Sequence, residues 1–104
     1  MKPVVWSKPA RHDTDDAAYW HANQGGLALG ERFLAAVEAA LEHIGAHPNG
    51  GSTRYAVQLK LGALRFWPVK GFPYLIFYIE HEQQVDVSRV LHAERDIPAW
   101  MRDA

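Results

Sequence analysis

The sequence predicts an α+β domain with an N-terminal strand and a two-helix antiparallel hairpin packed on a three- to four-stranded antiparallel sheet. Three observations support this class. Apolar residues recur at steps of three and four between residues 27 and 47, which is the helical period. From Thr53 onward, apolar and polar residues alternate, as they do in a half-buried strand. Glycine and proline clusters separate these segments. At 104 residues, the chain is expected to form one domain, residues 1–104.

The N-terminal half is expected to hold one strand and two helices. Residues 2–6 (KPVVW) are short, apolar and β-branched, which is typical of a strand. Ser7 is a candidate N-cap for a first helix over residues 9–22, which the sequence NQGG ends. The second helix covers residues 27–47 and ends at HPNGG. The short break between the two helices predicts that they run antiparallel.

The C-terminal half is expected to form a meander of strands. Residues 53–61 (TRYAVQLKL) alternate strictly and predict a half-buried strand. Residues 63–69 contain Pro68, which favours the end or edge of a strand there. Residues 74–80 (YLIFYIE) are apolar on both faces and predict a central strand. Residues 85–92 (VDVSRVLH) complete the sheet.

Composition argues against several classes of protein. The chain has no cysteine and no N-terminal signal-peptide pattern, so a cytoplasmic location is expected. No apolar run approaches the roughly 18 residues of a membrane span, so no membrane partner is expected. The formal net charge of −1 lacks the basic excess of nucleic-acid-binding proteins. Nucleic-acid binding is therefore expected only through a partner protein or if the protein is a ribonuclease.

The histidines and strand arginines are the weak catalytic candidates. His92 ends the last strand, where it can act as a general acid or base or hydrogen-bond to backbone. Arg65 and Arg89 are its possible electrostatic partners, but no second catalytic group follows from the spacing. His43 and His47 have the spacing of two metal ligands on one helix, yet no third ligand is evident. Neither a metal nor a cofactor is predicted.

Basic and aromatic residues of the C-terminal half are candidates for partner binding. A strand arginine either pairs with a carboxylate such as Asp96 or contributes to a basic face for an acidic peptide or a phosphate backbone. Large aromatic residues near the turns are candidates for an apolar patch that a partner covers. The candidate binding residues are Arg54, Arg65, Trp67, Phe72, Arg95 and Trp100.

Four segments resemble, in order, the RelE/ParE superfamily of bacterial type II toxins. They are VVWSKPARHDTDDAAYWHAN, RFLAAVEAALEHIGAHPNGGS, LRFWPVKGFPYLIFY and VDVSRVLHAERDIPAW. The resemblance covers nearly the whole chain and implies the same helical hairpin and small sheet. It also implies a toxin that a small cognate antitoxin neutralises. RelE-like members cleave mRNA on the ribosome, whereas ParE-like members act on DNA gyrase.

Two positions depart from the nuclease pattern of that superfamily. Leu75 stands where the nuclease class tends to carry an arginine, and Ala93 stands where a basic residue is expected after His92. The resemblance therefore favours a ParE-like inhibitor of DNA gyrase with an antitoxin partner. One alternative is a ribosome-dependent, metal-independent mRNA endonuclease that uses His92. The other is a degenerate, non-toxic member that only binds other proteins.

Overall fold

The computed structural model describes residues 1–102, so residues 103 and 104 of the predicted domain lie outside it. The predicted α+β class and the helical hairpin are confirmed. No helix in residues 1–102 is long and apolar enough to cross a membrane. In chain order the elements are β1 (Val4–Trp6), α1 (Lys8–Gly25), α2 (Leu27–Ala46), a 3₁₀ turn (Pro48–Gly50), β2 (Leu64–Pro68), β3 (Tyr74–Glu80), β4 (Val85–His92) and α3 (Ile97–Arg102).

The described strands form one mixed sheet in the order β1-β4-β3-β2. The β2–β3 and β3–β4 pairs are antiparallel, as predicted. The β1–β4 pair is parallel, with Val5 opposite Asp86, and this corrects the expectation of an entirely antiparallel sheet. The first strand thus pairs with the last, and the helices and the β2–β3 hairpin form the connection between them. Parallel pairing requires a long connection of this kind.

The strand predicted over residues 53–61 is wrong. Residues 54–60 form successive turns, and Ser52 makes an isolated bridge to Phe66 of β2. The segment satisfies its backbone locally, since Leu59 N–H donates to Tyr55 O at 3.0 Å. The Tyr55 and Leu59 side chains pack against the sheet, while Val57 is 89 % exposed. The segment is held on the sheet by side chains spaced four residues apart, Tyr55 and Leu59, rather than by every second side chain as in a strand.

The sheet has a separate core on each face. On one face α1 and α2 pack against the strands, with Phe33 and Ile44 of α2 fully buried against residues such as Ile76. On the other face α3 contributes the buried residues Ile97 and Met101. The members of this second core that come from the strands are Leu64, Phe77 and Leu91. The short α3 therefore covers apolar surface that the helical hairpin does not reach.

A β-bulge divides β4 into two parts. Val87 pairs with Tyr78, whereas Arg89 pairs with Phe77, so Ser88 is the extra residue. β1 pairs with β4 over Val85–Val87 and ends before the bulge. Ser7 N–H then donates to Val87 O at 2.9 Å and the Ser7 hydroxyl donates to Ser88 O at 2.8 Å, as the chain turns into α1. The first turns of α1 consequently lie beside the second half of β4.

We expect the stability of the fold to decline in alkaline solution because Tyr78 is buried and Tyr74 is half-buried. The Tyr78 hydroxyl donates to Pro48 O at 2.9 Å, and burial raises the pKa of Tyr78. Burial also raises the pKa of Tyr74, and the nearby positive charge of Arg95 partly offsets this rise. The pKa of a tyrosine in the unfolded chain is about 10. When the pKa is higher in the folded state, the contribution of that tyrosine to stability is complete below about pH 10. The contribution is lost as the pH rises through the folded-state pKa.

Urea unfolding between about pH 9 and pH 11 tests this expectation. Tyr78→Phe should unfold at lower urea concentration at the lower pH, because a hydrogen bond of about 1 kcal/mol is lost. Its stability should also fall less steeply with pH than that of the unmodified chain. Tyr19→Phe is the control, because Tyr19 is 73 % exposed. This variant should leave the slope of stability against pH unchanged. An unchanged slope in Tyr78→Phe would contradict the assignment.

Candidate functional site

A groove of about 680 Å³ opens between α1, the start of β3, the end of β4 and α3. We call it the α1–β4 groove. It brings together three residues selected from the sequence, namely His92, Arg95 and Trp100. Its volume lies in the range of about 300–1,000 Å³ that is usual for small-ligand sites. The other lining residues are Asp13, Asp16, Ala17, Trp20, His21, Pro73, Tyr74, Val90, Leu91 and Glu94.

Four rings in successive contact run along this groove. The Trp20 and His21 ring centres are 5.0 Å apart, and the His21 and Tyr74 ring centres are 5.8 Å apart. The Tyr74 ring lies edge-on to His92 at 5.2 Å. Trp20 and His21 come from the fourth turn of α1, while Tyr74 and His92 are paired residues of β3 and β4. Helix and sheet together therefore provide an aromatic surface.

His21 was not selected from the sequence, although it is central to the groove. It is only 6 % exposed and stacks on Phe33, with 4.8 Å between ring centres. Its Nδ1 lies 2.7 Å from Ala17 O, and a carbonyl can only accept, so Nδ1 carries a proton. The buried residues of α1 are Ala10, Thr14, Ala17 and His21. Their regular spacing of three and four places His21 on the inner face and was the available signal.

His92 has a defined protonation state in this arrangement. The Glu94 backbone N–H donates to His92 Nδ1 at 3.1 Å, so Nδ1 carries no proton. In the neutral ring the proton therefore lies on Nε2. His92 is half-buried at the end of β4 and lines the α1–β4 groove. It can donate a hydrogen bond from Nε2 into the groove, but this state of the ring carries no positive charge.

Arg95 and Trp100 form an exposed pair at one side of the groove. The Arg95 guanidinium carbon lies 4.3 Å from the centre of the Trp100 ring, within cation–π distance. Trp100 is 38 % exposed, and Arg95 is also exposed. Both residues are accessible to a partner, and their role in binding stays a prediction.

Arg89 holds three elements together. Its Nε donates to Asp13 Oδ2 at 2.7 Å and its Nη2 donates to Asp13 Oδ1 at 2.8 Å. Its Nη1 donates to Trp100 O at 3.1 Å, and Asp13 Oδ2 also accepts the Val90 N–H at 3.0 Å. Arg89 is 7 % exposed. The pair thus joins α1, β4 and α3, and the carboxylate partner is Asp13 rather than the Asp96 considered from the sequence.

The three weak catalytic candidates do not converge. Arg65 pairs with Tyr78 of β3, whereas His92 pairs with Tyr74, four residues away on the same strand. At about 3.4 Å per residue, four residues correspond to roughly 14 Å. The Arg65 guanidinium instead donates from Nη1 to Gly51 O at 2.8 Å. Arg89 points to Asp13, so neither arginine is placed beside the His92 ring.

The remaining candidate binding residues lie outside the α1–β4 groove. Trp67 stacks on His43 with 3.9 Å between ring centres, and Phe72 lies edge-on to Phe33 at 5.2 Å. Arg54 lies over the ring of Tyr55, 5.3 Å from its centre, in the segment on the other face of the sheet. The residues selected from the sequence are therefore spread over several surfaces.

The two histidines considered as metal ligands are also side by side. The His43 and His47 ring centres are 5.1 Å apart. Within residues 1–102, no group of three or more histidine, cysteine, aspartate or glutamate residues has a geometry that could hold a metal ion. The pair therefore lacks further ligands in the described part of the chain, and the His43 ring is occupied by its stack on Trp67.

Comparison with known proteins confirms the resemblance seen in the sequence. Residues 4–97 match the family model for the ParE toxin of type II toxin-antitoxin system, parDE. No curated protein sequence matches this chain. Among solved structures, a chain of the "Chromosomal ParDE TA system from P. aeruginosa" is similar, with a TM-score of 0.76 and 14 % identity. The alignment covers 90 % of this chain and 98 % of that chain, and at this identity the likeness shows a shared fold.

Proposed function

Because this chain belongs to the ParE toxin family of type II toxin–antitoxin systems, we propose that it inhibits DNA gyrase and is neutralised by a cognate antitoxin. The observation that carries the proposal is the family match over residues 4–97. That range begins with β1 and extends through both long helices, the whole sheet and the start of α3. The match thus includes the elements that build the fold and the α1–β4 groove.

The site geometry supports an inhibitor that acts by binding rather than a ribonuclease. RNA cleavage without a metal requires a general acid, a general base and cations near the developing phosphorane charge. The Arg89 guanidinium is instead held by Asp13. His92 Nδ1 already accepts the Glu94 N–H, and Arg65 lies near the far end of β3. These residues do not form the constellation that the nuclease alternative requires.

The proposed partner surface includes the exposed pair Arg95 and Trp100. Arginine and tryptophan are enriched among the residues that dominate binding energy at protein interfaces. Trp67 and Phe72 are half-buried and offer less free surface. Arg54 and Arg65 belong to other parts of the molecule, and in this proposal they serve a second contact region. An antitoxin long enough to reach several of these surfaces could occupy them together.

The decisive experiment combines a supercoiling assay with growth measurements. We expect the purified protein to inhibit supercoiling of relaxed plasmid by gyrase, and its induction in cells to arrest growth. His92→Ala should retain both effects, because the proposal assigns no chemistry to that ring. Co-expression of the product of the adjacent reading frame should restore growth if that frame encodes the antitoxin.

Two outcomes would contradict the proposed target. One is growth arrest by a protein that leaves gyrase supercoiling unimpaired at the concentrations that arrest cells. The other is loss of toxicity in a folded His92→Ala variant, together with cleavage of ribosome-bound mRNA by the unmodified protein. Circular dichroism of the variant serves as the control for folding, and primer extension on cellular mRNA detects the cleavage.

A further inference from the structure

We propose that the α1–β4 groove binds a neutral heteroaromatic ring of the nucleobase class. Such a ring is planar, stacks on aromatic side chains and carries both hydrogen-bond donors and acceptors on its edge. The groove offers three matching features. They are an aromatic surface with one imidazole that presents a hydrogen-bond acceptor, a second imidazole that presents a donor, and a balance of charges that disfavours an anion. Inhibition of gyrase, as proposed above, assigns no role to the four-ring aromatic surface or the two imidazoles, so the inference extends beyond it.

The first feature is the largely buried imidazole of His21, which lines the groove. Nδ1 of His21 donates to Ala17 O, so the neutral form of the ring has its acceptor at Nε2. Within residues 1–102, every fully buried side-chain nitrogen or oxygen has a hydrogen-bond partner. His21 Nε2 has no such partner, so this atom is not fully enclosed, and His21 lines the groove. The rest of the ring is enclosed, since the side chain is 6 % exposed.

The second feature is a second imidazole, that of His92, whose Nε2 is a hydrogen-bond donor rather than an acceptor. His92 accepts the Glu94 N–H at Nδ1, and its proton is therefore on Nε2. The Tyr74 ring contacts both His21 and His92, so the two imidazoles flank one tyrosine. The groove consequently presents one acceptor and one donor beside an aromatic surface. A nucleobase edge carries the complementary donor and acceptor, whereas the side chain of phenylalanine carries neither and that of tryptophan only a donor.

The third feature is the charge of the groove, which favours a neutral ring over a phosphate group. Asp13 is paired with Arg89 and contributes no free charge. The exposed carboxylates of Asp16 and Glu94 line the groove together with Arg95, which already lies over Trp100 and is the one lysine or arginine among the described lining residues. A phosphate placed here would meet more carboxylate than guanidinium. Trp20, which is 55 % exposed, remains open for stacking at the other end of the aromatic surface.

The test is a binding titration with the purified protein alone, so that its result does not depend on the gyrase proposal. Adenosine and cytidine are the free-ligand probes, and tryptophan fluorescence together with imidazole NMR signals reports binding. We expect saturable quenching and shifts of the His21 and His92 signals. The corresponding 5′-monophosphates should bind no more tightly than the nucleosides. Tighter binding of a single-stranded oligonucleotide than of the nucleosides would identify the source of the base as nucleic acid, and equal binding would indicate a free nucleoside.

Variants connect the binding to the groove. Trp20→Ala and His92→Phe should each lower the affinity for adenosine by about tenfold or more, which is about 1.4 kcal/mol. His21→Phe keeps an aromatic ring against Phe33, so the variant should still unfold cooperatively. Its affinity for adenosine should fall by the same factor, because the ring no longer carries a hydrogen-bonding nitrogen. Tyr19→Ala is the matched control, because Tyr19 is exposed on the same helix and does not line the groove.

Three results would overturn the inference. The first is no saturable binding of either nucleoside up to about 10 mM, roughly ten times the dissociation constant of about 1 mM that marks a weak complex. The second is unchanged affinity in Trp20→Ala and His92→Phe, both of which alter partly exposed residues and should fold. The third is equally tight binding of N-acetyltryptophanamide, which would indicate an apolar groove without recognition of a base edge.

Discussion

Replacing Arg89 with alanine is expected to lower the free energy of unfolding by about 3–5 kcal/mol, because removing one partner of a buried ion pair leaves an uncompensated charge. The Asp13 carboxylate would keep the Val90 N–H at 3.0 Å but lose two charge-assisted hydrogen bonds from the guanidinium. The Trp100 carbonyl would also lose its donor. Small domains are stable by about 5–15 kcal/mol, so a large part of the stability depends on this residue.

A double-mutant cycle measured by urea denaturation tests this expectation. Asp13→Ala should cost a similar amount, and the double variant should cost clearly less than the sum of the single variants. Arg32→Ala is the matched control, since it removes an exposed arginine of α2 and should change stability by no more than about 0.5 kcal/mol. Two results would show that the pair is not coupled as described. One is that the losses of unfolding free energy in the two single variants add up to the loss in the double variant. The other is that Arg89→Ala is as stable as Arg32→Ala.

Replacing Phe33 with alanine is expected to destabilise the fold by a similar amount, about 3–5 kcal/mol. Phe33 is fully buried and stacks on His21. It also contacts Phe72 at 5.2 Å and Tyr74 at 5.1 Å between ring centres. The truncated side chain would leave a cavity beneath the α1–β4 groove, because the surrounding rings belong to three different segments and cannot close together.

The measurement is again the midpoint of urea unfolding, with two comparison variants. Leu34→Ala changes the next residue of α2, which is 38 % exposed, and should cost far less than Phe33→Ala. Phe33→Leu fills most of the volume and should fall between the two. If Phe33→Ala and Leu34→Ala were equally stable, the aromatic cluster would not be a major source of stability.

Sequence patterns predicted the regular parts of this fold well because local periodicity determines them. The strands at residues 74–80 and 85–92 lie where they were predicted, and α2 ends one residue before the expected His47. The first helix was predicted to end at Ala22 but continues to Gly25, since the true break is Gly26 with its φ of 91°. One glycine in a left-handed conformation ends the helix, and the sequence does not show which glycine adopts it.

The features that the sequence did not reveal depend on contacts between distant residues. Segment 53–61 alternates like a strand, but whether it pairs depends on its contacts with the sheet. The partner of Arg89 is Asp13, 76 residues away, whereas the sequence suggested the nearby Asp96. His21 gained its place in the candidate site because the fold brings Tyr74 and the end of β4 beside it. Each of these facts requires the topology, which local patterns do not encode.

The parallel pairing of β1 with β4 also determines when this protein can fold during its synthesis. Ser7 and Ser88, which join the two strands at the bulge, are 81 residues apart. At roughly 5–20 residues per second, the ribosome adds the second of them about 4–16 seconds after the first. The long-range contacts must wait for that moment, whereas α1 and α2 can pair earlier. The completed sheet, the Arg89–Asp13 pair and the groove therefore become available only after β4 has been made, so the nascent chain lacks these surfaces for most of its synthesis.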